Sequence, residues 1–76
     1  MDNSQLLNDL QALYREQEQA HASARHQLMF LADLRQTDYV KAMKLETARI
    51  VNATARQLQA TADAITRVRE RQEVVA

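Results

Sequence analysis

The residues best suited to bind a metal ion in this chain are its two histidines, His21 and His26. Five positions separate them, which places their side chains about 140° apart on a helix. A zinc site built on one helix needs ligands three or four residues apart, as in the HExxH pattern. The chain contains no cysteine, and no group of carboxylates completes a ligand set. The sequence therefore predicts no metal site.

Groups that could perform catalysis are equally sparse. Glu16 and Glu18 are two residues apart and face different sides of a helix, which argues against a paired-carboxylate acid–base site. Ser4 and Ser23 have no histidine in a recognisable triad context. A phosphate-binding loop needs glycine, and the chain has none. We therefore expect a protein that is not an enzyme and that binds no cofactor.

A row of arginines is the feature that most suggests nucleic acid. Arg49 and Arg56 are seven residues apart, and two-helix hairpins that dimerise can follow RNA phosphates with such a row. Acidic residues are interleaved, however, and the ten basic and ten acidic side chains cancel. We expect a solvated face with intrahelical ion pairs, with RNA binding by a hairpin dimer as the least favoured alternative. The other members of this pattern are Arg67, Arg69, Arg71, Glu46, Asp63, Glu70 and Glu73.

Composition predicts the elements that carry these residues. The 76 residues allow one small domain, 1–76, and its Ala, Leu, Gln, Glu and Arg content favours an all-α fold. No apolar run approaches the length of a membrane span. The opening MDNSQLL is acidic and lacks the apolar core of a signal peptide. We expect no membrane insertion and a cytoplasmic location.

Two apolar stripes predict two helices. Apolar residues that recur at intervals of three and four positions mark one face of the first helix, and Leu6 and Leu13 widen this stripe. The second part contains three heptads, TARIVNA, TARQLQA and TADAITR, each opening with Thr-Ala. We interpret Thr47, Thr54 and Thr61 as packing residues beside the seam, each able to bond a carbonyl of the previous turn. The predicted helix–helix seam consists of Leu10, Ala24, Leu28, Leu31, Ala48, Val51, Ala55, Leu58, Ala62 and Ile65, and the first stripe also includes Leu7, Tyr14, Gln17 and His21.

Both stripes become charged in the same short region. Extending the first forward reaches Arg35 and Asp38, and extending the second backward reaches Lys44 and Lys41. Thr37 or Asp38 is a suitable N-cap for a second helix. The sequence thus predicts an antiparallel hairpin with helices at about 4–34 and 38–72 and a turn near 35–38. One continuous helix is the alternative, because no glycine is present to end the first helix.

Apolar side chains near this turn exceed what one seam can bury. Phe30 and Tyr39 lie far from the seam on a helical wheel, and such surplus surface typically marks an interface with another protein. In the alternative arrangement, these two rings close over the turn of their own hairpin. The predicted partner-binding residues are Met29, Phe30, Leu34, Tyr39, Met43 and Ile50.

The polar opening NDLQALYREQEQ, the turn, and a second helix beginning Asp38-Tyr39 resemble the co-chaperones of type III secretion needle subunits. The resemblance covers most of the chain, although the regular Thr-Ala heptads depart from that family's pattern. It implies two antiparallel helices, with Tyr39 matching an aromatic residue at the start of the second. It also implies binding to a larger, tetratricopeptide-like chaperone, so that the pair holds the secreted needle subunit in the bacterial cytoplasm.

A self-associating structural bundle is the second functional hypothesis. In that case the face of Ala48, Ala55 and Ala62 is buried between identical chains, since alanine allows close approach of helices. The sequence leaves the choice between a protein-binding co-chaperone and a homo-oligomer open.

Overall fold

The computed structural model describes residues 3–75, and side chains over residues 3–72. It contains two helices, α1 (Asn3–Asp33) and α2 (Asp38–Val75). The hairpin measures 58 × 15 × 14 Å, whereas a single helix of this length would extend about 110 Å at 1.5 Å per residue. The predicted all-α helical hairpin is therefore confirmed and the continuous helix is wrong. The non-helical residues are 34–37, one position before the predicted turn, and α2 continues three residues beyond the predicted end.

The turn forms without glycine because the side chain of Gln36 caps the end of α1. Its Nε2 donates to the carbonyl oxygens of Leu34 at 2.6 Å and Leu31 at 3.1 Å. Leu31 lies in the last turn of α1, whose carbonyls lack donors from a further turn of helix, and Leu34 is the first residue beyond α1. Lys44 Nζ donates to Gln36 Oε1 at 3.0 Å and fixes the orientation of the amide. No described residue adopts a positive φ, so the left-handed conformation for which helix ends usually need glycine is not used.

Helix α2 begins at a side-chain cap on Thr37. The Val40 N–H donates to Thr37 Oγ1 at 3.2 Å, and the Lys41 N–H donates to the Thr37 carbonyl at 2.9 Å. Asp38 lies in the first turn, where a negative charge is favoured by the helix dipole. Thr37, one of the two predicted candidates, is therefore the N-cap.

Replacing the Gln36 cap tests this account of the turn. Gln36→Ala is expected to lower the free energy of unfolding by about 1–2 kcal/mol, because it removes the donor shared by the end carbonyls of α1. Gln27→Ala, at an exposed position within α1, is the control and is expected to change stability by less than about 0.5 kcal/mol. Urea unfolding followed by circular dichroism measures both. Equal effects of the two substitutions would contradict a capping role.

The seam on α1 follows the predicted stripe. Ala24 and Leu31 are buried, at 6% and 4% exposure. The other stripe members are half-buried, namely Leu7, Leu10, Tyr14, Gln17, His21 and Leu28. Aromatic and aliphatic groups therefore occupy the two ends of this seam, and polar groups occupy its middle.

The seam on α2 differs from the prediction by one residue. Thr47, Thr54 and Thr61 are buried, and Val68 continues their line. Ala55 is exposed, whereas Ala48 and Ala62 are half-buried at the edge of the seam. Val51, Leu58 and Ile65 are half-buried and form the other side. In the sequence, the alanines and the threonines lie equally three or four residues from these aliphatic groups. The prediction chose the alanines because they are apolar. The threonines occupy the seam instead because the polar middle of α1 needs hydroxyl partners.

Candidate docking surface

Two polar contacts at the middle of the seam fix how the helices face each other. The Thr61 hydroxyl donates to Gln17 Oε1 at 2.7 Å. Thr54 Oγ1 lies 2.8 Å from His21 Nδ1 and donates to the carbonyls of Ile50 and Val51 at 2.9 and 3.0 Å. Because a hydroxyl has one proton, Thr54 accepts from His21 Nδ1–H while it donates to its own helix. Over the described side chains, no buried polar atom is left without a partner.

These contacts determine which side chains share each side of the hairpin. They hold His21 opposite Thr54 and Gln17 opposite Thr61, so the chain directions are antiparallel. A change of register would leave a buried hydroxyl or amide unpaired, at a cost of about 1–3 kcal/mol for each group. The polar layer therefore makes the hairpin specific, at the expense of apolar burial.

A double-mutant cycle tests the polar layer. Thr54→Val is expected to destabilise the hairpin by about 1–2 kcal/mol, because His21 loses its partner. His21→Leu combined with Thr54→Val is expected to be at least as stable as the wild type, since two apolar groups then replace a hydrogen-bonded pair. Thermal unfolding of the four proteins gives the coupling energy. Additive losses would show that the contact contributes nothing.

Five of the six predicted partner-binding residues lie on one side of the hairpin. On α1, Phe30 is about 130° and Leu34 about 80° from the seam. On α2, Tyr39 is about 110° and Ile50 about 75° from the seam, and all four are rotated from their seams in the same sense. In an antiparallel pair of helices, residues that are rotated from their seams in the same sense lie on the same side of the pair. We call the resulting surface the apolar flank. It comprises Leu6, Leu13, Phe30, Leu34, Tyr39, Met43 and Ile50, because Leu6 and Leu13 are whole heptads from Leu34 and Met43 is one heptad from Ile50.

The aromatic groups of the apolar flank are widely exposed. Phe30 is 64% and Tyr39 is 73% exposed, so neither ring closes over the turn, and that alternative is wrong. Leu34 and Ile50 are also exposed, whereas Met43 is half-buried. The flank thus presents two large rings close to the turn, beside aliphatic groups.

The sixth predicted residue, Met29, lies on the opposite side. It shares that side with Leu45, which is equally exposed at 64%. An open groove there is lined by Arg15, Glu18, Ala62, Arg69 and neighbouring residues of both helices. This side therefore carries two exposed apolar groups near the turn, Met29 and Leu45, and small and charged groups along the groove nearer the open end. Sequence reasoning missed Leu45 and interpreted Leu6 and Leu13 as widening the α1 stripe, although their heptad spacing to Leu34 was visible.

The polar residues considered for chemistry are not brought together. No three potential metal ligands cluster within residues 3–72, where side chains are described. His21 is held by Thr54, whereas His26 is exposed. Arg49 forms an ion pair with Glu46 at 3.6 Å, with both side chains largely exposed, so it contributes little stability. This pair is of the intrahelical kind expected for a solvated face.

Searches for related proteins give the chain no family. It matches no known family, no curated protein and no solved structure. Neither described helix is long and apolar enough to cross a membrane. The apolar flank is therefore the feature of the chain that points to a function.

Proposed function

We propose that this chain is a small, non-enzymatic co-chaperone that docks a larger helical protein through its apolar flank. The observation that supports this most strongly is the exposure of Phe30 and Tyr39 on the same side of a short hairpin, beside Leu34 and Ile50. Contiguous exposed apolar surface rimmed by polar residues is typical of protein-binding sites. Tyrosine and other aromatic residues are also frequent among the groups that dominate binding energy.

The energetics suit a specific complex. Burying Phe30 and Tyr39 would contribute about 1.5–3 kcal/mol each, and Leu34, Ile50, Leu6 and Leu13 add smaller amounts. Association costs at least about 4 kcal/mol in lost freedom of motion. The capped turn and the polar layer hold the flank in one arrangement before binding, which limits the further cost of ordering side chains and backbone. In this mode of binding, the helices of the hairpin lie in an apolar groove of the partner.

The resemblance to type III secretion co-chaperones supports a finer proposal. The partner is then a tetratricopeptide-like chaperone, and the complex holds an aggregation-prone needle subunit in the bacterial cytoplasm before export. Tyr39, at the start of α2, is the residue that matches the family's aromatic position. Its exposure on the apolar flank supports a direct role in docking.

Capture followed by reconstitution tests the proposal. Tagged chain is expected to capture a larger helical protein from its source cells, and the two purified proteins are expected to form a complex of fixed stoichiometry by light scattering. The complex should suppress aggregation of the secreted subunit more strongly than the larger protein alone. If the captured protein does not bind the purified chain, or protects the subunit equally well without it, the co-chaperone proposal is overturned.

A further inference from the structure

We infer that, without a partner, a second copy of this chain covers the apolar flank, so that two hairpins form a four-helix bundle with both turns at the same end. The flank follows the 58 Å length of a hairpin that is about 15 Å wide. The whole side that carries the flank therefore has a footprint of roughly 900 Å², comparable to the roughly 800 Å² per partner of a standard stable interface. The flank is thus large enough for a specific dimer.

The order of side chains along the flank selects the orientation. Heptad spacing places Asp9 and Glu16 on the line of Phe30, and Arg67 and Arg71 on the lines of Tyr39 and Ile50. The turn half of the flank therefore carries most of its large apolar groups together with one charged residue, Glu46, and the open half carries acidic groups on α1 beside Leu6 and Leu13 and basic groups on α2. Glu46, also on the line of Tyr39, forms an ion pair with Arg49.

A dimer with a two-fold axis parallel to the length of the hairpin pairs apolar groups in the turn half of the flank and opposite charges in the open half. This axis places α1 of one copy over α2 of the other, antiparallel to it. Phe30 and Leu34 then face Met43 and Ile50 of the second copy, and the acidic groups of α1 face Arg67 and Arg71 across the interface. Turning one copy end for end would instead set charged groups against Phe30 and Tyr39, which is unfavourable because the charges would lose water without gaining partners.

Self-pairing would regulate the site that we propose for the partner. The competition between a second copy and the partner rests on the proposed function, but the dimer itself does not. Partner binding then requires the dimer to dissociate, so the apolar flank of each hairpin is covered first by the second copy and then by the partner. The flank is covered in both states, which protects an otherwise exposed apolar surface from aggregation.

Sedimentation equilibrium of the purified chain, from micromolar to several hundred micromolar, tests the dimer. Wild type is expected to reach twice the monomer mass of 8.7 kDa. Phe30→Asp is expected to raise the dimer dissociation constant about thirtyfold or more while the helical circular dichroism stays unchanged. Leu45→Asp, on the opposite side, is the control and is expected to leave the dimer intact. A monomer at every concentration, or a dimer sensitive to Leu45→Asp but not to Phe30→Asp, overturns the inference.

Disulfide exchange tests the orientation independently, since the natural chain has no cysteine. Ala20 and Gln57 are whole heptads from Leu13 and Ile50, respectively, and so lie on the flank. In a mixture of Ala20→Cys and Gln57→Cys chains, the mixed disulfide is expected to predominate. Predominance of the Ala20→Cys self-disulfide would instead show an end-for-end dimer and overturn the proposed arrangement. Loss of the dimer would leave the capture and reconstitution result unaffected, so the two proposals fail separately.

Discussion

A chain carrying both Phe30→Asp and Tyr39→Asp is expected to lose its protein partner while keeping the helical circular dichroism of the wild type. Both rings are mostly exposed, so the charged replacements stay hydrated in the free hairpin and cost little stability. In the complex the two carboxylates would be buried without partners, a cost of several kcal/mol. We expect affinity to fall by at least about a hundredfold, which corresponds to about 2.8 kcal/mol. Calorimetry with the reconstituted partner measures this loss.

The matched control is Met29→Asp with Leu45→Asp, at two positions with 64% exposure on the opposite side. This variant introduces the same charge and is expected to bind the partner as the wild type does. If both double variants lost binding equally, the effect would arise from charge alone and not from the apolar flank. A fall in helicity confined to the Phe30 and Tyr39 variant would mean that those rings belong to the hairpin's own core.

The second large effect is expected at Leu31, the least exposed apolar residue of the seam at 4%. Leu31→Ala is expected to cost about 2–5 kcal/mol. A chain of this size has about 4–11 kcal/mol of stability at the usual value per residue, and none of its described large side chains is completely buried. The substitution is therefore expected to leave the isolated chain largely unfolded near 37 °C, as thermal unfolding monitored by circular dichroism would reveal.

Leu13→Ala is the control for Leu31→Ala, because Leu13 is 42% exposed and loses much less burial. Its expected cost is below about 1 kcal/mol. A stability loss at Leu31 no greater than that at Leu13 would contradict the position of the seam.

Most of the fold could be predicted from the sequence because the patterns that determine it are local. Steps of three and four gave the α1 face that includes Ala24 and Leu31, and a shared region of charge placed the turn within one residue. The α2 seam was misplaced because alanine and threonine occur side by side in every heptad. The choice between them depends on Gln17 and His21 across the interface, and these contacts exist only after the helices pair.

The apolar flank was predicted in part for a related reason. Helical angles identified Phe30 and Tyr39 as surplus apolar groups, but angles from the seam taken without their sense of rotation do not separate Met29 from Phe30. Placing Tyr39 on the same side as Phe30 also requires the antiparallel direction, which relates the sense of rotation on α1 to that on α2. Leu6 and Leu13, which adjoin Leu7 and Tyr14, were interpreted as widening the α1 stripe, although their line continues to Leu34.

Photo-crosslinking in the source cells tests the docking claim most directly. Tyr39 and Leu45 are replaced, one at a time, by p-benzoylphenylalanine, which joins covalently to any protein in contact when irradiated. We expect position 39 to give an adduct with a larger protein of different sequence, and position 45, which is similarly exposed but off the flank, to give none. An adduct formed only at position 45, or none at position 39, would contradict docking through the apolar flank.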